Sequence, residues 1–572
     1  MAEQIAAGEQ GAASASPLRI GIMVDSLIAP LWLAKIISDI QESSFAKIVL
    51  VVLNAAPPET KKKPMRDRLK GYWARGLFEH YERWDRQRNH AALDAFTETD
   101  VSAALKHVPT LPVVPIRKRF VDRFAPEDIA SIRQANLDVL FRFGFRIIKG
   151  EILSTARFGV WSIHHGDNRE YRGAAPGFWE MYERNPVTGS ILQVLNESLD
   201  GGKVLYRSLS ATDFGSLHST NNSMYWKTAD FAIRRLRDLH RFGWNYIQSL
   251  EEFNEPVKYT KQIYRTPATP AMVRFLTRQA GRKLARRARS LLVSERPQWF
   301  IASRARTGSR TALTDRSGFR AVVAPHGRFY ADPFLIKRNG TNYLFFEDFE
   351  VAKDRAVISC MEVGKDGTLG VPRTALETDY HLSYPFVFEH RGEVYLIPET
   401  RTRKRIELYR AAEFPLKWVL VKMLAENVQA VDSTLHQSAG KLWLFANIAV
   451  PGASTFDELH LFLADSLQGE WTPHPKNPIV SDVRRARPAG ALFFENGKLI
   501  RPSQDCTVRY GRAMTLNEVQ VLSATDYREA PVGRIEPDWH PGIVCTHTYN
   551  RNEEFEVLDA MEIKRGLRFF TP

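Results

Sequence analysis

The chain has 572 residues, of which 44% are hydrophobic and 25% are charged, as in ordinary globular domains. This length predicts two or more domains with separate cores, and no apolar run reaches the roughly 18 residues of a membrane-spanning helix. The net charge of +14 favours acidic partners. The cysteines form neither a disulfide framework nor a metal motif, which predicts a reducing, cytoplasmic setting; they are Cys360, Cys506 and Cys545.

The N-terminal half alternates buried strands with helices. Residues 1–17 lack the features of a secretory signal and predict a disordered leader. The pattern then predicts a strand at 18–24, a helix at 30–40, a strand at 47–53, a charged insertion at 55–110 with a helix near 69–84, and strands at 138–145, 158–163 and 191–195. This order is typical of a doubly wound parallel sheet, so we interpret 18–250 as one α/β domain.

Two kinds of polar side chain follow strands of this domain. His164 and His165 come directly after the strand at 158–163, and Asp200 follows the strand at 191–195. In open α/β sheets, ligands bind beyond the carboxyl ends of the strands. An imidazole and a carboxylate delivered to strand ends therefore form a candidate acid/base pair.

The residues around this pair carry a family pattern. The stretch 171–176 reads Tyr-Arg-Gly-Ala-Ala-Pro, and Asp200 lies in Leu-Asp-Gly-Gly. Together with His164 they resemble the catalytic core of the folate-dependent formyltransferases, which have a Rossmann-like fold and carry Asn-x-His, this turn and Leu-Asp-Thr-Gly. Two departures stand out: Ser162 replaces the family asparagine, and the loop after His164 reads His-Gly-Asp-Asn-Arg instead of Pro-Ser-Leu-Leu-Pro.

The resemblance implies N-formylation with 10-formyltetrahydrofolate as donor, its pterin held largely by backbone at 143–148. It implies that His164 donates to the oxyanion and that Asp200 orients His164 and handles the proton. Ser162 would replace the amide donor of the family. The further candidates, which contact substrate or else hold the loop, are His165, Asn168 and Arg172.

A basic segment separates the two halves of the chain. Pro267 and Pro270 mark a boundary within a predicted linker at 251–296, and 265–289 contains eight Lys or Arg and no Asp or Glu. The apolar spacing predicts a helix at 271–292. This helix is either a linker with a solvated basic face or a patch for anionic membrane, nucleotide-sugar or RNA phosphate.

Residues 297–572 show short strands separated by turns. Five similar segments recur, each with an apolar strand, a turn, and a second apolar strand ending in a polar residue. Their second strands repeat every 48 to 57 residues, at Tyr343, Tyr395, Trp443, Ile500 and Phe555. This spacing predicts an all-β, five-bladed propeller whose last blade is closed by the strand at 299–301 and the chain's end.

The propeller half resembles furanosidases of the arabinanase and β-xylosidase type, and also the N-terminal domain of plant glucosamine inositol-phosphorylceramide transferases. In the furanosidases an Ala-Asp-Pro supplies a catalytic aspartate, which Asp332 matches. The next inner positions in register are Tyr384, Asp432 and Ala489. The resemblance implies that Asp332, Glu399 and Asp432 converge at the axis and bind carbohydrate, unless they bridge blades. Tyr384 replaces the second aspartate of those enzymes, and this replacement favours carbohydrate binding over glycoside hydrolysis.

Two main hypotheses follow. The first is an enzyme that N-formylates an amino sugar or related amine, with the propeller holding the glycan or nucleotide-linked acceptor. The second is a carbohydrate-binding or weakly glycosidic propeller with a silent formyltransferase fold; a third is another one-carbon or acyl transfer, or its hydrolysis. A propeller in place of a tRNA-binding barrel argues against nucleic acid as a partner. The acceptor and the oligomeric state stay open.

Overall fold

The computed structural model describes residues 16–57, 75–118, 120–256, 258–306 and 317–567. The predicted leader at 1–17 and the predicted helix near 69–84 therefore lie partly outside the described residues. Contacts divide the chain into two compact units that change over between Ala280 and Gly281. None of the described helices is long and apolar enough to cross a membrane.

The first unit is an α/β domain, as the alternating pattern predicts. Its strands are β1 (Leu18–Val24), β2 (Ile28–Pro30), β3 (Ala46–Asn54), β4 (Glu98–Asp100), β5 (Thr110–Val113), β6 (Ile116–Lys118), β7 (Val121–Arg123), β8 (Val139–Arg142), β9 (Ile147–Ile148), β10 (Val160–His164), β11 (Arg172–Gly173), β12 (Val187–Val194), β13 (Lys203–Ala211) and β14 (Ile263–Tyr264). The helices are α1 (Leu31–Glu42), α2 (Leu77–Arg88), α3 (Pro126–Gln134), α4 (Phe178–Glu183), α5 (Leu217–Ser249), α6 (Glu251–Asn254) and α7 (Thr269–Leu292).

The main sheet is mixed, not wholly parallel as the sequence pattern predicts. Its strand order is β13-β12-β10-β8-β1-β3-β5, and the five strands from β10 to β5 are parallel. Strands β12 and β13 run antiparallel, with Trp161 of β10 opposite Val194 of β12. β12 ends beside Trp161, near the start of β10. Asp200 therefore does not lie at a strand end: the connection at 195–202 brings it back to His164.

The segment expected as a linker contributes to the first unit. β14 pairs with β11 at Gly173, and Met272 and Phe275 of α7 are buried beside Phe178 of α4. Apolar side chains on the first turns of α7 bury against α4, which explains why the units divide at Ala280 and not at residue 250.

The second unit consists of five antiparallel sheets and confirms the propeller. Its first two strands are β15 (Val293–Ala305) and β16 (Arg320–Val323). Blade one has β17 (Arg328–Arg338), β18 (Thr341–Glu350), β19 (Arg355–Val363) and β20 (Arg373–Leu376); blade two has β21 (Ser383–His390), β22 (Glu393–Glu399), β23 (Arg405–Glu413) and β24 (Lys417–Glu426). Blade three has β25 (Ala430–Ser438), β26 (Lys441–Ile448), β27 (Leu459–Ala464) and β28 (Thr472–Pro473); blade four has β29 (Phe493–Glu495), β30 (Lys498–Asp505), β31 (Ala513–Leu522) and β32 (Tyr527–Ile535).

The fifth blade joins the two ends of the propeller sequence. It contains β33 (Ile543–Cys545), β34 (Tyr549–Arg551) and β35 (Phe555–Leu567), together with β15 and β16. β15 pairs antiparallel with β35 along its whole length, with Trp299 opposite Met561. The predicted closure by the strand at 299–301 is therefore confirmed.

Candidate functional site

His164 and Asp200 meet at the edge of the α/β sheet. His164 Nδ1 lies 3.6 Å from Asp200 Oδ1, and their side chains are 12% and 13% exposed. The Nε2–H of His164 donates to the Tyr171 carbonyl at 3.0 Å. Nδ1 is therefore the ring nitrogen that faces the Asp200 carboxylate, while Nε2 is committed to the backbone.

The Tyr-Arg-Gly-Ala-Ala-Pro turn holds Asp200 from the other side. The N–H of Gly173 donates to Asp200 Oδ2 at 3.1 Å. Gly173 has a φ of 104°, and a Cβ there would meet the Tyr264 carbonyl oxygen at 2.1 Å. Only glycine fits this position, where the turn also pairs with β14.

Ser162, at the family asparagine position, is buried and faces Arg142 on the neighbouring strand β8. Arg142 Nη1 donates to Ser162 Oγ at 3.0 Å, and its Nε donates to the Arg146 carbonyl at 3.1 Å. Burial lowers the pKa of Arg142 from its usual value, while Asp200 and Asp25 act in the opposite direction. The guanidinium remains charged at such shifts.

Sequence reasoning did not single out Arg142. The signal was available, because this arginine ends a strand of otherwise apolar residues, Val139–Arg142, that leads into the predicted pterin segment. An arginine at the carboxyl end of a central strand needs partners at that edge. The structure supplies them as Ser162 and the backbone carbonyls of Phe145 and Arg146.

The other three candidates of this domain have structural partners. The ring of His165 stacks on Tyr225 at 3.5 Å between centroids, and its Nε2 lies 3.0 Å from Thr228 Oγ1; burial lowers its pKa to about 3. Asn168 is fully buried and donates to the Asp200 carbonyl at 3.2 Å. Arg172 places its guanidinium 3.5 Å from the centre of the Tyr259 ring. Substrate contact by these three stays a prediction, and the contacts favour loop-holding roles.

Residues 143–148, the predicted pterin segment, have most of their backbone donors engaged within the chain. The N–H groups of 143 to 147 all have acceptors within the chain, which are Met23, Asp25, Phe120 and Asp122. Ile148 lies on β9, the edge strand of the sheet β6-β7-β9. Because Ile147 and Lys149 donate to the β7 side, alternation directs the N–H and C=O of Ile148 out of that edge. A donor and acceptor that are not paired with β7 suit a flat heterocycle that pairs with backbone, and Ile148 itself is 3% exposed.

Inner strands of the propeller carry a repeated backbone feature. The pairing register shifts after Ala331, Ser383 and Val431, and the next residue has a positive φ each time: 50° at Asp332, 44° at Tyr384 and 52° at Asp432. These bulges re-aim equivalent side chains in three blades. In blade four the positive φ falls on Gly490, one residue after the predicted register position Ala489.

Asp332, Glu399 and Asp432 each bond across blades. Asp332 Oδ2 accepts from the N–H of Tyr384 at 3.1 Å, and Glu399 Oε2 accepts from the N–H of Asp432 at 3.3 Å. Asp432 Oδ2 lies 2.5 Å from Arg487 Nε. These contacts support the blade-bridging alternative, and carbohydrate binding by the three carboxyls stays a prediction.

The carboxyls are close enough to raise one another's pKa, as the sequence hypothesis expects. Burial, then the charges of Asp432 and Asp559, raise the pKa of Asp332 to about 6 against the opposing effect of His547. Burial and then Asp432 raise the pKa of Glu399 well above its usual value. Both shifts favour the protonated form of these carboxyls.

A set of possible metal ligands lies in the same region. Asp332, His547 and Asp559 each offer one ligand atom, all within 4.8 Å of one another, and all three are buried. His547 Nδ1 lies 2.6 Å from Asp559 Oδ2, so the imidazole already compensates these acids. Oxygen and imidazole donors of this kind suit a divalent cation.

Comparison with known proteins gives a different match for each half. The family described as "Glucosamine inositolphosphorylceramide transferase 1, N-terminal" matches residues 316–542. A relative of that name from Oryza sativa subsp. japonica is 39% identical over 211 residues, which cover 36% of this chain and 28% of the relative. A methionyl-tRNA formyltransferase from Geobacter metallireducens is 33% identical over 118 residues, covering 20% of this chain and 38% of the relative.

A solved β-xylosidase structure aligns with 35% of this chain and 74% of its own, with 16% identity and a TM-score of 0.28. The chain spans between about a quarter and two fifths of the length of the two curated relatives. A formyltransferase-like α/β domain is thus joined to a propeller that resembles the N-terminal domain of a named sugar-lipid transferase.

Proposed function

We propose that the α/β domain transfers a formyl group from 10-formyltetrahydrofolate to the amine of an amino sugar or related compound. The observation that carries this proposal is the His164–Asp200 pair at 3.6 Å, beside the buried Arg142–Ser162 contact at 3.0 Å. The first supplies proton transfer and the second supplies positive charge. Both are needed when a neutral amine attacks a formyl carbon.

The bound donor would supply an activated formyl group and would be held by the edge of β9 at Ile148 that does not pair with β7. His164 Nδ1 would take the proton that the attacking amine loses and return it to the donor nitrogen that leaves as its bond to the formyl carbon breaks, since Nε2 is committed to the Tyr171 carbonyl. Asp200 would stabilise the imidazolium and keep the ring oriented. The resemblance assigned oxyanion donation to His164, and this ring orientation favours proton transfer instead.

Arg142 would stabilise the negative charge that develops on the formyl oxygen. Its guanidinium carries fixed positive charge, and Ser162 holds one of its N–H groups at the position of the family's amide donor. A serine alone is too short to replace an asparagine amide. In this proposal the serine–arginine pair does so, which reconciles the departure at Ser162 with transfer chemistry.

A matched set of variants tests this assignment. We expect Arg142→Ala to lower kcat by about 10²- to 10³-fold with donor binding by calorimetry unchanged, because a developing charge loses its stabilising donor. The double variant Arg142→Ala with Ser162→Asn restores an amide donor and should recover part of the loss. Arg133→Ala, which removes a surface cation paired with Glu151, serves as the control.

The results test the formyl-transfer function separately from the role of Arg142 in it. Formylated product detected by mass spectrometry over a panel of free and nucleotide-linked amino sugars supports the function. Absence of donor binding and of product with the wild-type protein would refute it. Product from the wild type with no effect of Arg142→Ala would keep the function and remove Arg142 from the mechanism.

The propeller is proposed to hold the carbohydrate part of the acceptor, and the three buried, unpaired cysteines support a cytosolic setting. Nucleic acid is not part of this proposal.

The second candidate is a carbohydrate-binding or weakly glycosidic propeller with a silent or repurposed α/β domain. The raised pKa values of Asp332 and Glu399 favour that candidate, because protonated carboxyls donate to sugar oxygens. Sugar binding without any donor binding would select it.

A further inference from the structure

The two halves of α7 have different surroundings. In the first half Met272 and Phe275 are buried among the aromatic side chains of the α/β domain. From residue 281 to residue 292, a part of α7 that belongs to the propeller unit, every residue is exposed. We call residues 281–292 the exposed segment of α7.

The exposed segment is both basic and amphipathic. At 100° per residue, Leu284, Ala288 and Leu291 project on one side, and Leu284 and Leu291 are 70% and 63% exposed. Arg282 and Arg286 lie on the opposite side. The segment contains no Asp or Glu, and its cations are Arg282, Lys283, Arg286, Arg287 and Arg289.

The strands that follow extend the positive charge. β15 begins directly after α7 and pairs with the end of β35, where Arg296 lies opposite Lys564. The acids of this region are already paired: Glu295 with Arg289 at 2.7 Å and with Arg565 at 3.3 Å, and Glu562 with Lys564 at 3.4 Å. The surface is therefore positive beyond the helix itself.

We propose that the exposed segment of α7 lies on an anionic lipid bilayer. A helix with leucines on one side and arginines on the other places its apolar face at the acyl boundary while its cations meet lipid phosphates. A soluble polyanion would satisfy the arginines and leave Leu284 and Leu291 in water. This inference does not depend on formyl transfer, because it concerns a surface of the propeller unit.

Flotation of the full chain with vesicles tests the proposal. We expect binding to vesicles containing phosphatidylserine in phosphatidylcholine, and little binding to phosphatidylcholine alone. Arg282→Ala with Arg286→Ala should weaken partitioning about 30-fold, since each cation near an anionic surface contributes roughly a fivefold factor. Leu284→Glu should abolish binding to the vesicles, although it leaves all the cations in place. High salt should weaken binding to vesicles.

Matched controls separate the segment from charge or apolarity in general. Lys365→Ala with Lys404→Ala removes two exposed cations elsewhere, and Val371→Glu replaces an 81% exposed apolar side chain of the same unit. Both controls should bind as the wild type does. Equal loss with the controls, equal binding to neutral vesicles, or binding to heparin or RNA without vesicle binding would each overturn the proposal. Far-UV circular dichroism checks that each variant remains folded.

Discussion

The edge of the α/β sheet and the axis of the propeller both gather acids and bases, but they differ in how these groups are bonded. At the sheet edge His164 Nδ1 faces Asp200 at 3.6 Å, a distance that leaves both atoms available to a substrate. At the propeller axis Asp432 is bonded to Arg487 at 2.5 Å and to Gln504 at 2.8 Å. The difference suggests that proximity alone does not mark a reactive site, since available lone pairs and protons are also required.

The largest effect is expected at the sheet edge. His164→Ala should lower the rate of formyl transfer by about 10²- to 10⁴-fold, because it removes the proton acceptor for the attacking amine. The melting temperature should change little. Steady-state kinetics with His80→Ala, a surface histidine of α2, as the control checks this prediction, and wild-type turnover by the His164 variant would disprove it.

The propeller axis should respond in stability instead. Asp432→Ala should reduce the free energy of unfolding by about 3–5 kcal/mol, because it leaves Arg487 buried without its main partner. Chemical denaturation followed by tryptophan fluorescence measures this loss. A variant that loses glycan binding while retaining wild-type stability would instead place Asp432 in a binding site.

The pH dependence of stability sharpens the same contrast. Asp332 has a pKa raised to about 6 and His547 a pKa raised above its usual value, so the folded state holds protons that the unfolded state releases. Their contribution to the free energy of unfolding is fully present below pH 4 and decreases as the pH rises through about 6 and beyond. We expect Asp332 to account for up to about 3 kcal/mol between pH 4 and 7.

Asp332→Asn is the variant that isolates this contribution. Its free energy of unfolding should fall less steeply than that of the wild type over the same pH range. The charges of Asp432 and Asp559 also act on Asp332, and Asp332 in turn acts on Glu347, so the difference between the two proteins is the quantity to measure. Parallel pH profiles would contradict the prediction.

The smallest effect concerns Tyr384, where the furanosidases carry an acid. Its hydroxyl accepts from the N–H of Gly490 at 2.7 Å and lies 2.8 Å from Thr434 Oγ1. Tyr384→Phe should cost about 1–3 kcal/mol, because two buried polar groups lose their partner. Tyr395→Phe, at a half-buried position on β22, should stay within about 0.5 kcal/mol of the wild type.

Sequence reasoning was strongest where a single local pattern determines structure. The strand at 18–24 and the five-fold repeat at Tyr343, Tyr395, Trp443, Ile500 and Phe555 follow from apolar periodicity, and all five anchors lie on the second strand of a blade. Periodicity records which side of a strand is buried, and this does not depend on distant contacts. It contains no information on strand direction, so the strand at 191–195 was predicted but its antiparallel direction was missed.

The site shows the same limit at the level of side chains. His164, Asp200 and Ser162 were found from the resemblance of their motifs to the formyltransferase pattern, whereas Arg142 was missed because its significance depends on the neighbouring strand. Likewise, His164 and His165 are adjacent and have the same side chain, so the sequence does not distinguish their roles.

By itself the sequence determined the two fold classes, the five-fold repeat and the residues that can carry charge, because composition and periodicity are local properties. Tertiary structure decided which of those side chains are engaged in structural contacts and which are available to a substrate. It stacked His165 on Tyr225, left His164 beside Asp200, and bonded Asp332 and Glu399 across blades. Burial and hydrogen-bond partners come from residues far apart in the chain, and they determine whether a group is structural or reactive.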